Sequence, residues 1–235
     1  MPDFAYRDIA KMIDHSLLQQ TLTDADLDAG CRLARTYDVA SVCIKPYYIR
    51  RAAELLAGSG VAVGTTIGFP HGGHVTSIKV AESVQAMKDG AAELDMVVNI
   101  GKVLSKDWTY VTDDIRAVVD AAHAGSAIVK VIFENCFLTD DLKQRLCDIC
   151  GTVRADFVKT STGYGATGAT TEDLILMRKF APPHVQVKAA GGVRSFDRLL
   201  EVRALGVARV GATASQPILD ECKARLGSTA GPGGA

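Results

Sequence analysis

Neither sign of charge dominates this 235-residue chain: 26 lysines and arginines stand against 27 aspartates and glutamates, a formal net charge of -1. That balance excludes a general electrostatic field for nucleic acid or an anionic membrane, so any phosphate has to be held by particular loops. The chain also lacks an uninterrupted apolar run as long as a membrane span. Its opening, Met1-Pro-Asp-Phe-Ala-Tyr-Arg-Asp, lacks the basic-then-apolar pattern of an export signal. The expectation is a cytoplasmic protein that neither crosses a membrane nor leaves the cell. Cysteine is spread thinly, at Cys31, Cys43, Cys136, Cys147, Cys150 and Cys222. A chain this large is no disulfide scaffold, which points to reduced thiols.

What is present is core material, 48% hydrophobic and 23% charged residues, which excludes intrinsic disorder. A chain of this length can bury roughly 70% of its unfolded surface. The last nine residues, GSTAGPGGA from Gly227, contain little to bury. The expected organisation is one domain over 1–226 and a flexible tail over 227–235.

Short apolar runs rich in β-branched residues alternate with stretches of helical spacing. Eight strands are expected: Met12 to Ser16, Val39 to Ile44, Val61 to Ile67, Glu93 to Asn99, Ile128 to Phe133, Asp156 to Thr160, Gln186 to Ala190 and Arg209 to Ala212. Their nearly continuous apolar character suits parallel strands covered on both faces. Thr23-x-x-Asp26 and Thr171, followed by Glu172 and Asp173, are expected to open helices, and Gly90 and Gly206 to close two others. Apolar stripes are expected at Ile78, Ala81 and Val84, and at Ile115, Val118, Val119 and Ala122. At about 29 residues per unit, eight strand–helix units close an α/β single TIM (β/α)8 barrel; an open doubly wound sheet is the alternative.

Such barrels carry their sites at the C-terminal strand ends. The polar residues expected there are Asp14, Ser16, Cys43, Lys45, Asp95, Asn99, Lys130, Glu134, Lys159 and Lys188. Lys130, Lys159 and Lys188 interrupt three successive apolar strands, although lysine is among the residues least often buried. Clustered cations disfavour one another's charged form, which is what an imine-forming enzyme requires. At the reference pKa a lysine is about 0.04% neutral at pH 7, and a shift of ~3 units makes about half of it nucleophilic. Asp95 offers a carboxylate for proton transfer. Gly191-Gly192 and Gly211, with Thr213 and the neighbouring Ser161 to Gly163, suit a phosphate held on backbone N–H groups.

Six stretches, Ile13-Asp-His-Ser-Leu-Leu, Ser41-Val-Cys, Gly68-Phe-Pro-His-Gly, Glu93-Leu-Asp-Met-Val, Phe157-Val-Lys-Thr-Ser-Thr-Gly and Val187-Lys-Ala-Ala-Gly-Gly-Val-Arg, together resemble the deoxyribose-phosphate aldolases. The resemblance runs from residue 13 to about 215. It implies a class I, metal-independent aldolase without a cofactor, cleaving 2-deoxy-D-ribose 5-phosphate reversibly to D-glyceraldehyde 3-phosphate and acetaldehyde. By the same resemblance Lys159 is the Schiff-base lysine, Lys188 the lysine that tunes it and Asp95 the acid/base. Asp14, Ser16, Leu18, Cys43, Phe69, Lys130 and Thr162 line the substrate pocket, while Gly163, Gly191, Gly192, Gly211 and Thr213 hold the phosphate. A homodimer or homotetramer is implied as well.

Three features depart from that family pattern. Gly211-Ala-Thr-Ala stands where Gly-x-Ser-Ser is common, so Ala214 lacks a hydroxyl; losing such a donor costs about 1 to 3 kcal/mol of binding. Tolerance of non-phosphorylated substrates is the corresponding alternative. The last tyrosine is Tyr164, so the tail carries none, and Lys45 stands where an uncharged residue is common. A barrel that binds a sugar phosphate without turnover is the non-enzymatic alternative. His71 and His74 show no third zinc ligand in the sequence, Cys147 and Cys150 read as packing residues, and Arg194 and Arg209 are candidates either for attracting phosphate or for surface ion pairing.

Overall fold

The computed structural model describes residues 4–229. Eight parallel strands close a barrel in simple sequential order: β1 Ile13–Leu17, β2 Ser41–Ile44, β3 Ala62–Ile67, β4 Glu93–Val97, β5 Ile128–Ile132, β6 Phe157–Lys159, β7 Gln186–Ala190 and β8 Arg209–Ala212. All eight expected strands are present, most of them a residue or two shorter than the apolar runs that encode them. The helices are α1 Tyr6–Ala10, α2 Asp24–Tyr37, α3 Ile49–Leu56, α4 Thr76–Lys88, α5 Ile100–Leu104, α6 Trp108–Ala124, α7 Asp140–Thr152, α8 Thr171–Phe180, α9 Phe196–Ala204 and α10 Ser215–Thr229. The last helix extends three residues into the expected tail, and residues 230–235 lie outside the described residues.

Local chemistry explains the helix starts. Thr23 accepts the Asp26 N–H while Asp26 returns a bond to the Thr23 N–H, so two orphan donors are satisfied together. The cap of α8 is Thr170, one residue earlier than expected, because its hydroxyl accepts from the Asp173 N–H. On α6 the expected stripe of Ile115, Val118, Val119 and Ala122 is buried.

Helix α4 is turned differently from expectation. Ile78 is 53% exposed and Ala81 is exposed, whereas Lys79, Ser83 and Ala86 are buried. Lys79 Nζ reaches Asp114 of α6 at 2.6 Å and the Val97 carbonyl at 2.9 Å. A fully paired buried cation can thus displace an apolar stripe, because the cost of its desolvation is met by close partners.

The apolar core lies between the sheet and the helices, where Leu94, Met96, Val129, Val131, Val158, Val187 and Ala189 point outward from the strands. Burying each valine or leucine contributes roughly 1.5–3 kcal/mol. Strand alternation sends the intervening residues into the barrel, and among these are the charged residues that interrupt the apolar runs.

Candidate active site

Strand register places the charged residues side by side. Lys159 pairs with Lys188 across β6 and β7, and Asp95 with Lys130 across β4 and β5. Lys159 and Lys188 both donate to Asp95 Oδ2, at 2.8 and 2.7 Å, and Lys130 donates to Asp95 Oδ1 at 2.9 Å. All four side chains are buried. One carboxylate therefore carries three ammonium groups, with the Cys43 thiol 3.8 Å from Oδ2.

The four groups titrate in different directions for stated causes. Burial alone raises the Asp95 carboxyl, but Lys130, Lys159 and Lys188 outweigh it and hold Asp95 well below the ordinary carboxylate range. Burial lowers Lys130 and Lys188, yet both end above the usual lysine value. Lys130 is raised by Asp14, Asp95 and Glu93, and Lys188 by Asp14 and Asp95. Lys159 alone falls below it, first through burial, with Asp95 opposing and Lys188 assisting. Mutual repulsion of three lysines is thus not the ruling effect. The carboxylates keep two of the amines charged, and burial acts on the one with the least compensation.

Above this cluster lies a cavity of about 420 Å³. Ser16, Leu18, Cys43, Lys159, Thr162, Gly163, Lys188, Gly191, Gly192, Gly211 and Thr213 line it, as do Gln19, Gln20, Tyr164 and Arg194, which sequence reasoning left out of the pocket. Asp14 and Lys130 do not line it; they stand deeper in the barrel as counter-charges. Phe69 lines an adjacent cavity of about 330 Å³ that shares Leu18, Gln20 and Tyr164 with the first. Tyr164 divides the two, donating to the Leu18 carbonyl at 2.7 Å and meeting Phe69 edge to face at 5.5 Å.

The loops on one side of the main cavity suit an anion. Gly163 and Gly192 take φ of 90° and 93°, and a Cβ added to either would meet nothing within 4 Å. Their backbones therefore face open space. Gly191, at φ 80°, packs on Gly168 so closely that an added Cβ would lie 2.8 Å from the Gly168 Cα. Thr213 precedes the start of α10, whose first-turn N–H groups favour negative charge.

Glu134 supports the β6 loop from beneath. It takes a left-handed conformation at φ 57°, and its carboxylate accepts from the Thr162 N–H at 3.2 Å and from the Thr162 hydroxyl. Its place at a strand end made it a candidate; the turn that aims it at Thr162 carries no sequence signal. Asn99 caps α5 instead of entering the site. Lys45 lines the adjacent cavity, donates to the Gln20 carbonyl at 3.2 Å and lies 5.7 Å from the centre of the Tyr47 ring. Arg209 is not a surface residue: it lies inside the barrel, paired with Asp14 and Glu93.

His71 and His74 are exposed, and among the described residues no group of three or more His, Cys, Asp and Glu is placed to hold a metal ion. Cys147 and Cys150 are buried in α7, where burial pushes the first thiol up to about 12 and the second well above its usual value. Both are poor nucleophiles at neutral pH. Among the described residues no helix is long and apolar enough to cross a membrane.

Barrel, cavity and buried amine cluster together give the candidate active site of a TIM-barrel enzyme. Residues 9–215 match the model of the DeoC/LacD family aldolases. A deoxyribose-phosphate aldolase of Rhodopirellula baltica is 58% identical over 230 residues, 98% of this chain and 95% of that one. One from Clostridium perfringens is 47% identical over 212 residues, covering 90% and 94%. A tetrameric deoxyribose phosphate aldolase structure from Aeropyrum pernix superposes with a TM-score of 0.87 at 29% identity, covering 94% and 93%. The chain belongs to the DeoC/LacD family of aldolases, in its deoxyribose-phosphate aldolase group.

Proposed function

We propose that this chain cleaves 2-deoxy-D-ribose 5-phosphate reversibly into D-glyceraldehyde 3-phosphate and acetaldehyde through an imine on Lys159. The observation that carries the reading is the contrast among the three amines. Lys159 lines the cavity and has one carboxylate partner, Asp95, whereas Lys188 and Lys130 have more. Lys159 is the amine that loses its proton most readily, and the neutral form is the nucleophile.

The residues divide the proton work accordingly. Neutral Lys159 Nζ attacks the substrate aldehyde carbon, and the carbinolamine loses water as the imine forms. Lys188, held protonated beside Asp95, supplies a proton to the departing hydroxyl. Asp95, held ionised, accepts the proton from the substrate's C3 hydroxyl, through a water where direct reach is too long. The C2–C3 bond then breaks, its electron pair passing into the enamine. The proton taken up by Asp95 passes to C2 of the enamine, and hydrolysis of the resulting imine releases acetaldehyde and free Lys159 while the proton set free by the attacking water restores Lys188. The phosphate rests on the backbones of Gly163, Gly191, Gly192 and Gly211 and on Thr213.

The test is turnover of 2-deoxyribose 5-phosphate with acetaldehyde as the measured product. Wild type is expected to release it and Lys159→Ala to lose the activity; normal turnover by the variant rejects the assignment. A second reading comes from the sequence of the loop after β8, where Ala214 carries no hydroxyl and packs against the apolar core while Gly211, Ala212 and Thr213 line the cavity. In that reading 2-deoxyribose itself is turned over as well, and equal efficiency on the sugar and its 5-phosphate would establish it. The same family reading supports a homodimer or homotetramer, checked by light scattering. Six unpaired cysteines among the described residues support a reducing cytoplasm as its site of action.

A further inference from the structure

Below the amine cluster the barrel holds a second layer of ionised groups that the mechanism above leaves idle. Arg209 donates from Nε to Asp14 Oδ1 at 2.7 Å and from Nη2 to both oxygens of Glu93 at 2.8 Å. Ser41 also donates to Asp14 Oδ1, at 2.8 Å. That leaves Asp14 Oδ2 facing upward, 2.5 Å from Lys188 Nζ and 3.4 Å from Lys130 Nζ. Lys130 reaches down to Glu93 Oε2 at 2.6 Å. The two layers form one connected array.

Its charges do not balance while every amine is protonated. Lys130, Lys159, Lys188 and Arg209 give four positive charges, and Asp14, Glu93 and Asp95 give three negative ones. Neutrality of a buried array requires one proton to leave, since an uncompensated buried charge is costly. Geometry selects where. Arg209 is a permanent cation, Lys130 touches three carboxylates, Lys188 touches two and Lys159 touches one.

We infer that Arg209 and Glu93 are positioning residues for the imine chemistry: Arg209 supplies the surplus positive charge and engages Asp14 and Glu93 from below, so that the proton is lost at Lys159. This rests on Lys159 being the imine-forming residue. The titratable groups that act on Lys159 directly are Cys43 from β2, Asp95 from β4 and Lys188 from β7; Lys130 from β5, Asp14 from β1, Glu93 from β4 and Arg209 from β8 complete the same array behind them. The segment Ala62–Ile67 of β3 holds no titratable side chain, and Arg194 and Tyr164 face the cavity from the loops. Burial pushes the Cys43 thiol up to about 11, so it stays uncharged at neutral pH. The directions of the lysines agree with the geometry, Lys159 lowered and Lys130 and Lys188 raised.

The two residues then act with opposite sign. Arg209→Met removes the surplus and leaves three lysines against three carboxylates, which favours protonated Lys159. Glu93→Gln, nearly isosteric, enlarges the surplus and favours neutral Lys159. The double variant restores the original imbalance of one.

The experiment follows the pH dependence of trapping acetaldehyde, which has no titratable group of its own, with cyanoborohydride, and reads adduct formation at Lys159 by peptide mass spectrometry. The expected result is that the acid limb moves up by roughly one pH unit in Arg209→Met and down by a similar amount in Glu93→Gln. The limb returns toward wild type in the double variant and stays near wild type in Arg209→Lys. Movement of both single variants in one direction, or loss of rate with an unmoved limb, overturns the inference. Should Arg209→Met not fold, Glu93→Gln decides alone: an upward or unmoved limb overturns the proposal. Wild type that traps no adduct on Lys159 instead rejects the imine reading itself.

Discussion

Asp95 Oδ2 accepts from Lys159 at 2.8 Å, and the same oxygen accepts from Lys188 at 2.7 Å. This shared acceptor joins the proposed nucleophile to the proposed proton donor, so proton transfer between substrate and protein passes within one buried cluster. Substituting Asp95→Asn removes the negative charge and replaces one of the two acceptor oxygens with an NH2 donor, leaving the buried ammonium groups without their shared counter-charge. Turnover is expected to fall by about 10²- to 10⁴-fold and stability by about 3–5 kcal/mol, read by product release and urea unfolding. Turnover within about threefold of wild type would contradict the role given to Asp95.

His15 predicts the acid side of the stability curve. Its ring lies on the outer face of β1, buried, with Nδ1 2.8 Å from Ser215 Oγ at the start of α10. Burial lowers its pKa from 6.5 to about 4. Because the folded value is depressed, the unfolded chain binds the proton first. The contribution is therefore complete above the unfolded value and is lost as pH falls through the window between the two. Urea unfolding is expected to show a loss of roughly 3 kcal/mol over that window, with a flatter profile in His15→Asn. An identical slope in the variant would count against this origin.

The Lys79–Asp114 pair is predicted to be structural. Both side chains are buried, and neither lines a cavity described above. Lys79→Met strands a buried carboxylate and is expected to cost about 3–5 kcal/mol, with much of the loss recovered in Lys79→Met/Asp114→Leu. Activity per folded molecule should be unchanged in both. Thermal unfolding together with turnover tests this, and an activity loss in the well-folded double variant would argue otherwise.

Several features were readable from one sequence for physical reasons. A lysine inside an apolar strand is conspicuous, so Lys130, Lys159 and Lys188 stood out, and alternation turned each inward. Arg209 opens its strand at the edge of an apolar run, where an exposed arginine is ordinary. Its partner Asp14 lies 195 residues away, and that closure exists only once β8 pairs with β1. The α4 face was misjudged for a related reason: Ile78 loses its place to Lys79 because Asp114 waits on α6. Glu134 reaches Thr162 through a left-handed turn that no residue type announces. Periodicity reports which residues are apolar, and distant pairing decides which polar ones are buried.

Ala214 offers a test of phosphate recognition. Restoring a hydroxyl with Ala214→Ser beside Thr213 adds a donor at the start of α10, worth about 1–3 kcal/mol where it reaches the phosphate. The preference for 2-deoxyribose 5-phosphate over 2-deoxyribose, as a ratio of kcat/KM, is expected to rise by roughly 5- to 150-fold. An unchanged ratio would place the phosphate away from this loop.

The most direct measurement is the site of covalent capture. Protein mixed with 2-deoxyribose 5-phosphate and reduced with borohydride is digested, and the modified peptide is sequenced by mass spectrometry. The expected adduct lies on Lys159, within Phe157-Val-Lys-Thr-Ser-Thr-Gly, and is absent from Lys130 and Lys188. Capture on either of those lysines, or turnover without any capture, would contradict an imine at Lys159.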